Sequence, residues 1–125
     1  MSTKEMRFDS RFVAPISVAK TKIHSIRRDP NDKYVECEEL QMVDKSTGNV
    51  FATKTCTGTQ KILIKCWQRE VVVFEVQIDD RTLEYDEVQE LARNDGFSSA
   101  PEMIEYVCNN FNYIGKIVHW TDKRY

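Results

Sequence analysis

Between residues 7 and 19, the apolar positions Phe8, Phe12, Val13, Ile16 and Val18 or Ala19 recur three or four apart, a period that predicts a short amphipathic helix. Pro15 fits if the helix begins near Val13, because the first turn tolerates a residue without an N–H. The next nine residues, 20–28, read Lys-Thr-Lys-Ile-His-Ser-Ile-Arg-Arg and are placed as a first strand or its entry loop. Alternation along such a segment puts His24 on the opposite side from Ser25, so His24 is not expected to partner it. Asp29, Pro30, Asn31 and Asp32 then make a turn.

From residue 38 to residue 78 the period becomes that of strands. Leu40 and Met42 alternate with polar neighbours, and Ser46, Thr47, Gly48 and Asn49 supply a hairpin turn into a strand at 50–55. In the following strand Ile62, Ile64 and Cys66 face one way and Leu63 and Trp67 the other. Residues 68–70 separate it from 71–78, where β-branched residues dominate. Four consecutive strands with short links predict an antiparallel meander or small barrel.

Helical spacing returns at Tyr85, Val88 and Leu91, with Asp86 as the start signal and residues 94–96, Asn-Asp-Gly, as the stop. Ser99 and Glu102 have the spacing of a capping box for a second helix, Pro101 sits in its first turn, and Ile104, Val107, Cys108 and Phe111 form its apolar stripe. A last strand over 113–120 carries its apolar residues at 114, 118 and 120, followed by a polar tail. The order predicts one α+β domain over residues 1–125, mostly antiparallel, with two or three flanking helices.

Composition narrows the partners. A net charge of −2 and a pI near 5.7 give no global attraction for polyanions, so nucleic-acid binding must come from a local patch. The longest apolar run, 71–74, is far short of a membrane span, and the first residues lack the apolar core of a signal peptide, which predicts a cytoplasmic protein that does not engage a membrane. Cys37, Cys56, Cys66 and Cys108 form no Cys-x-x-Cys pair and are read as reduced. A zinc site from Cys56, Cys66, His24 and His119 lacks a close ligand pair, so neither metal nor cofactor is expected.

The local patch is residues 20–28. Its donors suit an anionic or base-edge ligand, although a basic edge strand is also a common device against aggregation. His119, between Val118 and Trp120, reads as a satisfied histidine on an edge strand. Trp67, Trp120, Tyr34 and Tyr113 are candidates to stack a base and equally candidates for the core.

Two separated motifs carry a family resemblance. Lys22, Ser25 and Arg27 in a Lys-x-x-Ser-x-Arg segment, followed much later by Leu91, Ala92, Asp95, Gly96 and Phe97, resemble the ASCH domain of the PUA-like superfamily. The ending from Gly115 is similar to that of phage- and prophage-encoded members. The resemblance implies a small PUA-like β-barrel with helices closing one side, a cleft lined by both motifs, and binding of RNA or a modified nucleoside through Lys20, Lys22, Arg27 and Arg28. One bacterial branch hydrolyses N4-acylated cytidines with a lysine, a threonine and a glutamate. Those positions correspond here to Lys22, Ser25 and Asp95, two of them changed in identity. The chemistry would need Lys22 as base for a Ser25 nucleophile, with Asp95 orienting the substrate or handling the leaving amine. A third class stays open: phage-type proteins of this size also act by binding a host protein.

Overall fold

The computed structural model describes residues 3–68, 72–108 and 111–125. The chain is α+β, with eight strands and three α-helices among the described residues. Three strands form one sheet in the order β1 (Thr3–Phe8), β3 (Glu39–Asp44), β4 (Val50–Thr55). The other five form a second, in the order β2 (His24–Arg27), β8 (Tyr113–His119), β5 (Gly58–Gln68), β6 (Val72–Ile78), β7 (Arg81–Thr82). All pairings are antiparallel except that of β1 with β3. No helix among the described residues is long and apolar enough to cross a membrane.

The opening helix predicted over 7–19 is corrected. Residues 3–8 are strand β1, and the helical part shrinks to a 3-10 turn, Ser10–Phe12, and α1, Val13–Ser17. The apolar spacing that suggested one helix spans two elements: Met6 and Phe8 are buried from a strand, Phe12 and Ile16 from the helical turns. Because β1 lies parallel to β3, the chain must travel back before pairing, and the helical turns and β2 fill that crossover. Residues 20–28 therefore hold the second strand, preceded by a loop.

The 46–49 turn joins β3 to β4 as expected. Asp44 Oδ1 accepts from Ser46 N (2.9 Å) and from Ser10 Oγ (2.8 Å), and Gly48 takes φ +76°. A register shift between Met42 and Val43 lets consecutive residues both be buried, which strict alternation forbids. On β5, Ile62 and Ile64 point into the core while Leu63 is partly covered and Trp67 is 45% exposed. Most of residues 68–70, and the start of the 71–78 run, lie outside the described residues.

Helix α2, Tyr85–Asn94, starts one residue earlier than Asp86 suggests. Glu84 is its N-cap, and Glu87 bonds back to the Glu84 N–H at 3.0 Å, a capping box built from two glutamates. Helix α3, Ala100–Cys108, keeps the Ser99 half of its box, with Glu102 N donating to Ser99 Oγ at 3.3 Å. The Glu102 carboxylate turns instead to Ser98 and Arg11. Phe111 falls beyond the helix and is 72% exposed; Met103 takes its place in the core. On β8 the buried apolar residues are Tyr113, Ile117 and Val118, and Ile114 is 73% exposed. Strand β8 is an interior strand of its sheet, between β2 and β5, so His119 is not on an edge. Leu40, Met42, Ile62, Ile64, Ile78, Leu91, Met103 and Ile117 form a common core between sheets and helices, each fully buried side chain contributing roughly 1.5–3 kcal/mol.

Candidate functional site

The two separated motifs meet. Helix α2 ends in a Schellman motif: Phe97 N donates to Ala92 O (2.9 Å), Gly96 N to Arg93 O (3.1 Å), and Gly96 supplies the left-handed φ of +93°. That closure fixes Asp95 at the helix C-cap. Lys22 Nζ donates to Asp95 O at 2.6 Å and to Oδ1 at 3.1 Å, and His24 Nδ1 lies 2.9 Å from the same Oδ1. Close approach also depends on Gly96, since a Cβ there would sit 3.1 Å from the Phe12 ring and 3.2 Å from the Lys22 stem. Backbone pairing of Ile23 N with Asn94 O (2.8 Å) ties β2's entry to the helix end.

Lys22, Ser25, Arg27 and Asp95 line one cleft of about 200 Å3, walled by Phe8, Phe12, Phe97 and Tyr106. Lys22 Nζ stands 4.6 Å from the Phe12 ring centre, and the Arg27 guanidinium 4.5 Å from that of Phe8. Burial holds the Lys22 ammonium below its ordinary pKa, against the opposing pull of Asp95. Desolvation likewise lowers Arg27. Ser25 Oγ accepts from Arg27 Nε at 2.9 Å, which leaves its own proton to point elsewhere.

The base–nucleophile pair expected of Lys22 and Ser25 is absent: Lys22 is committed to Asp95, and Ser25 to Arg27. The reason is position along β2, because Lys22 precedes the strand and follows the α2 end, while Ser25 and Arg27 face the first sheet. Lys20 is exposed and lies outside the cleft. Arg28 is also outside it; it covers the Tyr113 ring at 4.6 Å and lines a larger concavity of about 550 Å3 beside Leu63 and Ile114.

His24 does not partner Ser25, as the alternation predicts, but it belongs to the Asp95 cluster. Its register, opposite His119, does place it across the strand from Ser25, yet Asp95 reaches that side and bonds it. A buried chain continues outward: His24 Nε2 lies 2.6 Å from Tyr125 Oη, which accepts from Asn94 Nδ2 at 2.9 Å. With Nδ1–H donated to the carboxylate, Nε2 is the acceptor and Tyr125 the donor, so every group in the chain is satisfied. Gln60 anchors Tyr125 by its backbone, Nε2 to O at 2.9 Å and Oε1 from N at 3.1 Å. The sequence signal for Tyr125 was an aromatic residue in an otherwise polar tail; for His24 there was none. Of the candidate stacking residues, Tyr34 and Tyr113 are core, Trp120 is partly buried against Phe8, and none lines the cleft. No cluster of three metal-ligating side chains occurs among the described residues, and the cysteines are unpaired.

Compared with known proteins, the chain matches no family model, no curated protein and no solved structure.

Proposed function

We propose that the chain is a nucleoside- or RNA-binding module of the ASCH, PUA-like kind, whose two sheets correspond to the halves of a small barrel and whose ligand enters the Lys22–Asp95 cleft. One observation carries the reading: two basic and polar residues of β2, a buried lysine and a helix-end carboxylate converge, across a long sequence gap, on a cleft walled by four aromatic rings. A volume of about 200 Å3 is below the usual span for drug-sized ligands and suits a single base. Asp95 uses only Oδ1 toward the described residues, so Oδ2 is available to accept from an exocyclic amine, as carboxylates do from cytosine N4. The Ser25 hydroxyl offers a donor in the same cleft, and the aromatic walls offer stacking. Titration calorimetry at low salt with cytidine, N4-acetylcytidine and short single-stranded RNAs tests this. Binding that weakens in Ser25→Val is the expected result, and no binding by any of the three overturns it.

The enzymatic version, hydrolysis of N4-acylated cytidine by Lys22, Ser25 and Asp95, draws on the lowered pKa of Lys22. Its cost is the missing Lys22–Ser25 contact, so substrate would have to break the Lys22–Asp95 pair. Acetate release that disappears in Ser25→Ala supports it; no release at high enzyme concentration removes it.

A further inference from the structure

The cleft holds four cations, Arg7, Lys22, Arg27 and Lys45, against two carboxylates, Asp9 and Asp95, in a chain whose net charge is −2. Both carboxylates are already engaged. Asp95 is bound by Lys22 and His24, while Asp9 takes Tyr106 Oη and lies 3.8 Å from Lys45. Arg27 is left over. It is partly buried between the two sheets, gives Nε–H to Ser25, rests on Phe8, and has no carboxylate within ion-pair distance among the described residues. A guanidinium withdrawn from water without a counter-charge is unfavourable, and its remaining N–H groups present the fork that matches a phosphate or carboxylate. Exposed Arg7 stands at the same cleft. The larger concavity has the opposite balance, with Arg28, Lys61 and Lys116 facing Asp29, Asp32, Asp79 and Asp80, and offers no comparable seat.

We infer that the ligand of this cleft carries a phosphate group seated on the Arg27 guanidinium, with Ser25 Oγ–H and Arg7 as further donors. The inference rests on the nucleoside reading for the rest of the ligand. It narrows the class to phosphorylated nucleosides or a nucleotide within a single strand, with the base inside the aromatic walls and the phosphate on the arginine side. The counter-ion that the fold omits is then supplied by the ligand.

Calorimetry with cytidine, cytidine 5′- and 3′-monophosphate, a dinucleoside monophosphate and inorganic phosphate tests it. A monophosphate or the dinucleotide should bind at least about tenfold tighter than cytidine, the gain expected of one charge-assisted contact. Preference for the dinucleotide identifies the phosphate as a strand's backbone, and preference for a monophosphate identifies a free nucleotide. The gain should vanish in Arg27→Met and in Arg27→Gln, and the unliganded melting temperature of Arg27→Met should equal or exceed that of the wild type, because no ion pair is lost. Cytidine binding as tightly as its phosphates, unaffected by either variant, overturns the phosphate seat and leaves the nucleoside reading standing. Phosphate binding that depends on Arg27 without any binding of cytidine upholds the seat and removes the nucleoside reading. A wild type that binds none of the five overturns both.

Discussion

Lys22 Nζ sits 3.1 Å from Asp95 Oδ1 across a separation of 73 residues, and the two side chains are only 2% and 4% exposed. Such a pair adds little over an apolar replacement, but breaking it from one side strands a charge. Asp95→Ala removes the carboxylate bonded to Lys22 and should cost about 3–5 kcal/mol in urea denaturation. Lys22→Met should cost less, because methionine replaces the buried stem and Asp95 keeps the His24 N–H. The double variant Lys22→Met with Asp95→Asn should be more stable than Asp95→Ala alone. Equal losses in the two single variants would show that the charge pair is not the source.

Tyr125 Oη is the junction between His24 and Asn94. Tyr125→Phe keeps the ring and its packing against both histidines but leaves the His24 acceptor and the Asn94 donor without that partner. The expected loss is about 1–3 kcal/mol in chemical denaturation, with a change in the His24 ring nitrogen shifts by NMR. Unchanged stability and unchanged shifts would mean that the chain of hydrogen bonds is not formed in solution.

The meeting of Lys22 with Asp95 was legible only because two motifs were read together; neither carries it alone. Local signals placed the 46–49 hairpin, the inward faces of Ile62 and Ile64, and the α2 stop, since turn residues and alternation act over a few positions. Failures came where partners are distant. Phe8 and Phe12 share a helical spacing but belong to different elements, because a parallel β1–β3 pairing decides the conformation of residues 3–8. His119 reads as an edge residue from its place near the chain's end, whereas sheet order puts its strand inside the sheet, between β2 and β5. The Lys22–Ser25 pairing failed through geometry that spacing does not encode: a three-residue offset at a strand's entry sends the two side chains to different partners.

Gly115 lies on β8 one residue beyond its last pairing with β2. A Cβ there would lie 2.6 Å from the Arg27 carbonyl oxygen and 2.6 Å from the Tyr113 ring. One contact is backbone, so a side-chain rotation cannot relieve it. Gly115→Ala should therefore destabilise the fold by about 1–3 kcal/mol, the usual cost of overpacking. It should also weaken ligand binding by moving Arg27, and combining it with Tyr113→Leu should recover only part of the stability. A neutral Gly115→Ala would place the strands farther apart than described.

His119 is fully buried, and its hydrogen bonds fix its proton. Gln60 Nε2 donates to Asp79 Oδ2 (3.0 Å) and Tyr125 O, so Gln60 Oε1 is an acceptor and the proton of His119 resides on Nε2, 3.0 Å away. Nδ1 is buried and has no partner among the described residues. Protonation would create a buried N–H without an acceptor beside the His24 ring, 5.4 Å away. Burial first, and the nearby His24 ring and Arg124 guanidinium next, push its pKa from 6.5 down to about 3, with Asp79 and Asp95 opposing. Between those values the unfolded chain binds a proton that the native state refuses, so stability falls as pH falls, by up to about 1.4 kcal/mol per pH unit from this group. Urea denaturation at pH 4.5, 5.5 and 6.5 should show that slope in the wild type on top of the carboxylate contribution. His119→Leu should lower stability at pH 6.5, where the Gln60 bond is lost, and flatten the dependence by the same amount. Parallel curves for the two proteins would place the histidine in contact with solvent and refute the buried neutral form.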